Sequence, residues 1–389
     1  MKTASTHPPA KRPRGARRPG GFQPPHCPNP ECRFHKPSPD WQFVRCGSHV
    51  RQRDDRRIQD YLCRACGRQF SAPTFTTTYW LKRPDLLPKV AAMITEGAGI
   101  RQTARVLGAS PSTVARMIAR LGRHGMLFHQ SMMDDATVEQ PMVIDGFETF
   151  EFSQFFPYHI NLAVGAESWF LYHFTDSPLR RKGTMTAGQK KRRAELEAQV
   201  GLPDPKAVQR GIAALLRPLL GKVTEPVLLL HSDDHPAYQR ALRQLRGEGL
   251  RTPRIRHQIT SSKERRTQSN PLFPVNLADL LLRHGSANHR RETIAFSKRR
   301  QAGLERCAVF LLWRNYIKRR REKDHPQGET AAMRAGVADR PLSWRQILKK
   351  RLFPSRIELT REWRRYYEGK VKTLILGERQ AEHGLKYAF

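Results

Sequence analysis

A chain of 389 residues, 38% of them apolar, is long enough for two or three domains and can bury one substantial core with small modules beside it. Its 70 Lys and Arg against 35 Asp and Glu leave a formal charge of +35 spread along the whole length, which points to a polyanion, with DNA or RNA favoured over a membrane surface. No run of roughly 18 apolar residues and no apolar amino-terminal stretch occurs, so neither a transmembrane helix nor a signal peptide is expected, and a cytoplasmic, nucleoid-associated protein is.

Residues 1–25 are basic, rich in Pro and Gly and poor in apolar side chains. That is the composition of a disordered arm, which either clings to DNA or only solubilises the chain. The cysteines are Cys27, Cys32, Cys46, Cys63, Cys66 and Cys307, the first five within forty residues. In a reducing compartment such clustering means metal rather than disulfides. Cys27 and Cys32 form one pair, and Cys63 and Cys66 a second, with Gly67 placed to turn the chain. Trp41, Phe43, Val44 and Tyr61 between them suit short strands, so residues 26–75 read as a zinc ribbon whose four thiolates hold Zn²⁺ tetrahedrally. The first pair has four intervening residues where two are usual, and Cys46 is the rival ligand. A ribbon that only staples the fold, with no nucleic-acid contact, is the plainer alternative.

Residues 80–128 read as helical. An apolar helix ends at Gly108, and Ser110 caps a second helix with Pro111 at its first position. The short Gly-containing turn between them fits a helix-turn-helix. Val114, Met117 and Ile118 would pack inward, leaving Ser112, Thr113 and Arg116 toward a DNA major groove. A helical hairpin with a core role alone is the competing reading.

Residues 138–322 alternate strands and helices. Strands are expected at 141–152, 158–164, 169–174, 227–231 and 254–259, with helices at 206–220, 236–245 and 276–284. This order is that of a ribonuclease H-like α/β domain with a mixed five-stranded sheet. Met142-Val143-Ile144 runs into Asp145, and the apolar run 227–230 is followed by Asp233 and Asp234. Carboxylates just beyond strand ends lie where open α/β sheets gather their chemistry. Two of them in so basic a chain suggest divalent cations held against a phosphodiester. Taken singly, either Asp does no more than end a strand.

Ribbon, helix-turn-helix and ribonuclease H-like domain in this order resemble the architecture of some bacterial insertion-sequence transposases of the DDE class. Ser232-Asp233-Asp234-His235-Pro236-Ala237-Tyr238 is similar to their second-Asp motif, an Asp with a Tyr five residues on, and Arg291-Glu292-Thr293-Ile294-Ala295-Phe296-Ser297-Lys298 to their late R-x-T-x-x-F-S-K segment. The resemblance spans roughly residues 25–320. It implies cleavage and joining of DNA strands with two Mg²⁺ or Mn²⁺ ions held by three carboxylates, double-stranded DNA (element ends and target) as partner, and self-association on that DNA. Asp145 and Asp233 would be the first two carboxylates. Glu264 is the leading third, 31 residues after Asp233, with Asp279 and Glu292 as alternatives. The Tyr spacing favours Asp233 over Asp234, and Glu148 should point away from Asp145 because three residues along a strand reverse the face.

Arg290, Arg291, Lys298, Arg299 and Arg300 would neutralise phosphates in a salt-dependent way, unless they form only a solvated face. Cys307, in an apolar stretch, reads as core. Residues 323–389 mix aromatics with bases, as in SWRQILKKRLF and REWRRYYEG, and fit either a small DNA-binding element or a dimer element. Two other functions are compatible with the same residues. One is a non-catalytic zinc-ribbon and helix-turn-helix regulator; the other is a nuclease that cuts without joining.

Overall fold

Three antiparallel strands organise the amino-terminal unit, residues 1–82: β1 (Phe43–Arg51), β2 (Arg56–Cys63) and β3 (Gln69–Ser71), in that spatial order. The computed structural model describes residues 22–52, 54–248 and 253–379; the basic arm expected over residues 1–25 lies almost wholly outside them. So short a sheet has little apolar surface to bury. Aromatic rings fill the gap, with Trp41, Tyr61, Phe70 and Phe75 buried and the rings of Tyr61 and Phe70 stacked at 5.7 Å.

The second unit, residues 83–389, opens with α1 (Leu86–Thr95), α2 (Ile100–Val106) and α3 (Pro111–Met133). It continues through β4 (Met142–Phe150), β5 (Pro157–Gly165), β6 (Leu171–Pro178), α4 (Ala187–Val200), α5 (Ala207–Leu220), β7 (Val227–Ser232), α6 (Pro236–Gly247) and β8 (Arg254–Ile259). It ends with α7 (Phe273–Gly285), α8 (Arg300–Leu312), α9 (Ala331–Arg334), α10 (Trp344–Ile347) and α11 (Arg361–Tyr367). The sheet order is β6-β5-β4-β7-β8. β4, β5 and β6 run antiparallel, and β7 and β8 run parallel to β4. One face carries Asn161, Thr175 and Ser177, which bond to one another and to carbonyls of α5 at Gly211 and Ala207. The opposite face carries Tyr158, against Gly303 of α8, and Phe174, whose ring lies 5.2 Å from Trp363 of α11.

α3 begins as the sequence suggests: Ser110 Oγ accepts from the Thr113 amide at 3.2 Å, and Gly108 adopts φ +56° in the turn before it. It does not stop near residue 128. It runs 23 residues, and its second half is buried against α8. Gly122 permits that approach, since a Cβ there would sit 2.6 Å from the Glu305 carbonyl oxygen. The helix-turn-helix segment and the sheet therefore belong to one compact unit. The carboxyl-terminal aromatics also differ in kind from a free-standing element. Trp363, Tyr366 and Tyr367 are buried, and Trp363 Nε1 donates to the Phe174 carbonyl at 2.9 Å. Cys307 is core, as its apolar neighbours suggest.

Four buried histidines give this unit a pH dependence. Burial pushes His124 and His129 down to about 4, and His173 and His289 down to about 3. His129 shows why: its Nε2–H donates to the Tyr172 carbonyl while Nδ1 accepts from the Tyr316 hydroxyl, a pattern only the neutral ring can make. Below about pH 6.5 the unfolded chain takes up protons that the folded chain refuses, so stability falls as pH falls. Between about pH 6.5 and 5 the loss is about 2 kcal/mol for each such histidine. Thermal melting should drop steeply over that interval and less steeply in a His173→Gln variant; a flat profile for the unaltered protein would contradict this.

Candidate active site

The amino-terminal unit brings Cys27, Cys32, Cys63 and Cys66 together, with all four sulfurs within 4.8 Å of one another. Cys27 and Cys66 are 3.6 Å apart and Cys32 and Cys63 are 3.9 Å apart. A tetrahedral Zn²⁺ with bonds near 2.3 Å requires sulfur separations of about 3.8 Å, so the cluster can hold zinc. The second pair sits on a tight turn in which the Gly67 amide donates to the Cys63 carbonyl at 2.9 Å and Gly67 adopts φ +67°. The longer first pair closes differently, with the Cys32 amide donating to the Asn29 carbonyl and the Cys27 amide to the Phe34 carbonyl. Burial opposes ionisation of Cys63, but the Trp41 indole N–H at 3.3 Å and the amides of Cys66 and Ala65 overcome it and bring the thiol down to about 7. Cys46 is exposed and outside the cluster.

In the second unit, sheet register brings the first two carboxylates near each other. Val143 of β4 pairs with His231 of parallel β7, so Asp145, two residues along β4, lies near the point where the chain leaves β7 and carries Asp233. Asp145 Oδ1 accepts from the Gly146 amide at 2.7 Å and from the Tyr238 hydroxyl at 3.2 Å. Asp233 Oδ1 accepts from the His235 amide at 3.0 Å, which fixes the loop between β7 and α6.

A third carboxylate arrives from α7. Burial raises the Asp279 carboxyl well above the usual range, and the Asp145 charge raises it further, against the pull of Arg283 and Arg266. Burial also raises Asp145, with Asp233 adding to it and the Gly146 amide, Tyr238 and Arg266 opposing. The Tyr238 hydroxyl is held well above its usual value by burial and then by Asp145, Asp233 and Asp279. One carboxylate, Asp145, is thus hydrogen-bonded to Tyr238, and the charges of Asp233, after β7, and Asp279, on α7, also act on that hydroxyl. Asp279 Oδ1 is buried with no hydrogen-bond partner among the described residues. A buried carboxyl oxygen without a donor is a place a cation can satisfy, and an all-oxygen set suits Mg²⁺ or Mn²⁺. The three are spread more widely than the thiolates, since the cysteines are the only such donor group within 4.8 Å among the described residues.

The remaining acidic candidates are elsewhere. Glu264 is exposed on a turn, its amide donating to the Ser261 carbonyl, whereas Asp279 is the candidate that feels the Asp145 charge. Glu292 is exposed with φ +52°, and Asp234 is exposed. Glu148 is exposed and faces His159 at 3.9 Å. Tyr238, Arg266 and Arg283 had no role assigned from sequence. Only the Tyr238 spacing hinted at one; the two arginines are indistinguishable from the many others in the chain.

Among the DNA candidates, Ser112 and Arg116 are exposed and Thr113 half-exposed at the start of α3, while Val114, Met117 and Ile118 are buried. Arg290, Arg291, Lys298 and Arg299 are exposed. Arg300 departs from that set. It is buried, with Nη1 3.3 Å from Asp176 and Nε 3.6 Å from Glu151, so its charge serves an internal ion-pair cluster instead of a phosphate. No helix among the described residues is long and apolar enough to cross a membrane.

No family model and no curated protein matches this chain. Among solved structures it is similar to a chain of the cryo-EM structure of the simian T-cell lymphotropic virus intasome in complex with PP2A regulatory subunit B56 gamma. The identity is 14% over 63% of this chain and 73% of that chain, with a TM-score of 0.23. So loose a superposition carries no argument, and the reading of the site rests on its own geometry.

Proposed function

We propose that this chain is a ribonuclease H-like DNA strand transferase of the insertion-sequence transposase type, with Asp145, Asp233 and Asp279 as its metal-holding carboxylates. The observation that carries the reading is that the charges of all three act on the Tyr238 hydroxyl, and that Asp279 has a buried, unpartnered oxygen, in a chain of charge +35. The strand order β6-β5-β4-β7-β8, three antiparallel strands followed by two parallel ones, supports the fold assignment.

Bound at this site, two Mg²⁺ or Mn²⁺ ions would polarise the scissile phosphodiester and activate water or a 3′-hydroxyl for in-line displacement. The chain's own residues do the rest. Tyr238 and the Gly146 amide hold the Asp145 carboxylate in one orientation. The His235 amide does the same for Asp233. Arg266 and Arg283 favour the ionised form of Asp279 against burial and the Asp145 charge. Ser112, Thr113 and Arg116 present a surface to duplex DNA, and Arg290, Arg291, Lys298 and Arg299 offer phosphate contacts. The proposal carries with it a cytoplasmic protein that self-associates when two DNA ends are brought together.

The test is cleavage of a labelled duplex taken from the DNA flanking the gene, with and without Mg²⁺, beside Asp233→Asn. Cleavage and strand joining should require Mg²⁺ and fall at least about a thousandfold in the variant, about 4 kcal/mol of barrier. Cutting without joining would favour the nuclease. Binding without cutting under any metal would leave a regulator and end the catalytic reading.

A further inference from the structure

The segment between α7 and α8 carries the most exposed large apolar side chain among the described residues. Ile294 is 100% exposed. Its surroundings are not those of a loose loop. Thr293 Oγ1 donates to the Ala287 carbonyl at 2.9 Å and accepts from the Ala295 amide at 3.0 Å. The Phe296 ring packs 5.4 Å from Phe150 of β4. Ser297 Oγ accepts from Asn288 at 3.1 Å, and its carbonyl accepts from the Phe152 amide at 2.9 Å. The chain is therefore pinned on both sides of Ile294, and the isoleucine is held outward.

Around it stand Arg290, Arg291, Lys298 and Arg299, all exposed, against one acidic residue, Glu292. The loop is also tied to the helix that bears Asp279. Arg283, one turn beyond Asp279 on α7, donates to the His289 carbonyl at 3.3 Å and to the Glu148 carbonyl of β4 at 3.2 Å. A rigid, basic loop with an apolar tip beside a carboxylate cluster matches the chemistry by which proteins part stacked bases. Cations hold the phosphates while an aliphatic side chain enters between base pairs.

We propose that the loop of residues 290–299 is a wedge that unstacks double-stranded DNA beside the cleavage site, with Ile294 as the inserted side chain. This rests on the DNA-processing reading above. Removing Ile294 should cost unstacking without altering the number of phosphate contacts, because no charge is lost.

The experiment uses the full chain and duplexes from the DNA flanking the gene, with 2-aminopurine placed at successive positions. The unaltered protein should raise 2-aminopurine fluorescence several-fold at one or two adjacent positions. Ile294→Ala should abolish most of that rise while keeping the same salt dependence of binding, and Ile294→Leu should restore it. Ile294 is fully exposed, so its replacement does not endanger folding. A duplex that is bound and cut with no rise at any position, or an equal rise with Ile294→Ala, overturns the wedge and leaves the transferase reading standing. Failure of the unaltered protein to bind any duplex overturns both.

Discussion

Replacing Cys63 by Ser is expected to unfold the amino-terminal unit and release one zinc ion per chain. Cys63 lies at the end of β2, where it supplies one thiolate of the quartet and also accepts from the Trp41 indole. The unit has a three-stranded sheet and a core of a few aromatic rings, too little apolar surface to fold unaided. In small modules of this kind metal binding supplies the folding free energy, about 10–16 kcal/mol near neutral pH. The loss should appear as a colorimetric zinc release and as proteolytic sensitivity confined to residues before about 82. EDTA should reproduce it on the unaltered protein. Cys46→Ser, which changes an exposed cysteine outside the cluster, should retain its zinc and its resistance. A Cys63→Ser variant that keeps both would show that the ribbon stands on its rings alone.

Asp279→Asn is expected to abolish Mg²⁺-dependent strand cleavage, by about a thousandfold or more, with duplex binding unchanged. Glu264→Gln should stay within about twofold of the unaltered rate. The reason is placement. Asp279 has a buried carboxyl oxygen and feels the Asp145 charge, whereas Glu264 is exposed on a turn. Asn keeps the shape of Asp but offers no anion to a cation. A second readout separates a metal ligand from a structural residue. Without metal, the substitution replaces a buried carboxyl that resists ionisation by a neutral amide of the same shape, so the variant should melt at the same or a higher temperature than the unaltered protein. With Mg²⁺ the order should reverse, because only the unaltered protein gains from binding. Full activity in Asp279→Asn together with loss in Glu264→Gln would return the third position to Glu264.

The cysteine quartet was legible because its thiols sit on two local turns whose chemistry is written in a few consecutive residues. Asp145 and Asp233 stood out as candidates for a related reason: each follows a short apolar run, a local feature, although Asp145 lies within β4 and only Asp233 falls just beyond a strand end. Asp279 was harder. Its position depends on α7 packing against β4, a contact between segments more than a hundred residues apart, while Glu264 lay nearer in sequence to the strand that precedes it. The run from Arg290 to Arg300 misled in a different way. Five bases in one short stretch look alike, yet the chain turns inward at the start of α8 and takes Arg300 to Asp176 and Glu151. The carboxyl-terminal aromatics were ambiguous because Trp and Tyr serve cores and interfaces equally well; only the facing surface of β6 decides.

α3 joins two tasks in one rigid piece. Its first turns carry Ser112, Thr113 and Arg116, and its later turns are fastened to the rest of the unit by His124, bonded to the Ile347 carbonyl at 2.8 Å, and His129, bonded to the Tyr172 carbonyl at 2.9 Å. At 1.5 Å per residue its 23 residues make a bar about 34 Å long. The helix is continuous over those residues, so under the proposed function the gap between the bases read at its start and the phosphodiester cut at the carboxylates would work like a fixed caliper. One extra base pair in the DNA moves the target phosphate by about 3.4 Å along the duplex and turns it by about 34° around it. If the proposed function holds, a duplex that had gained or lost a single base pair there would still be bound, but it would present the wrong phosphate to the carboxylates.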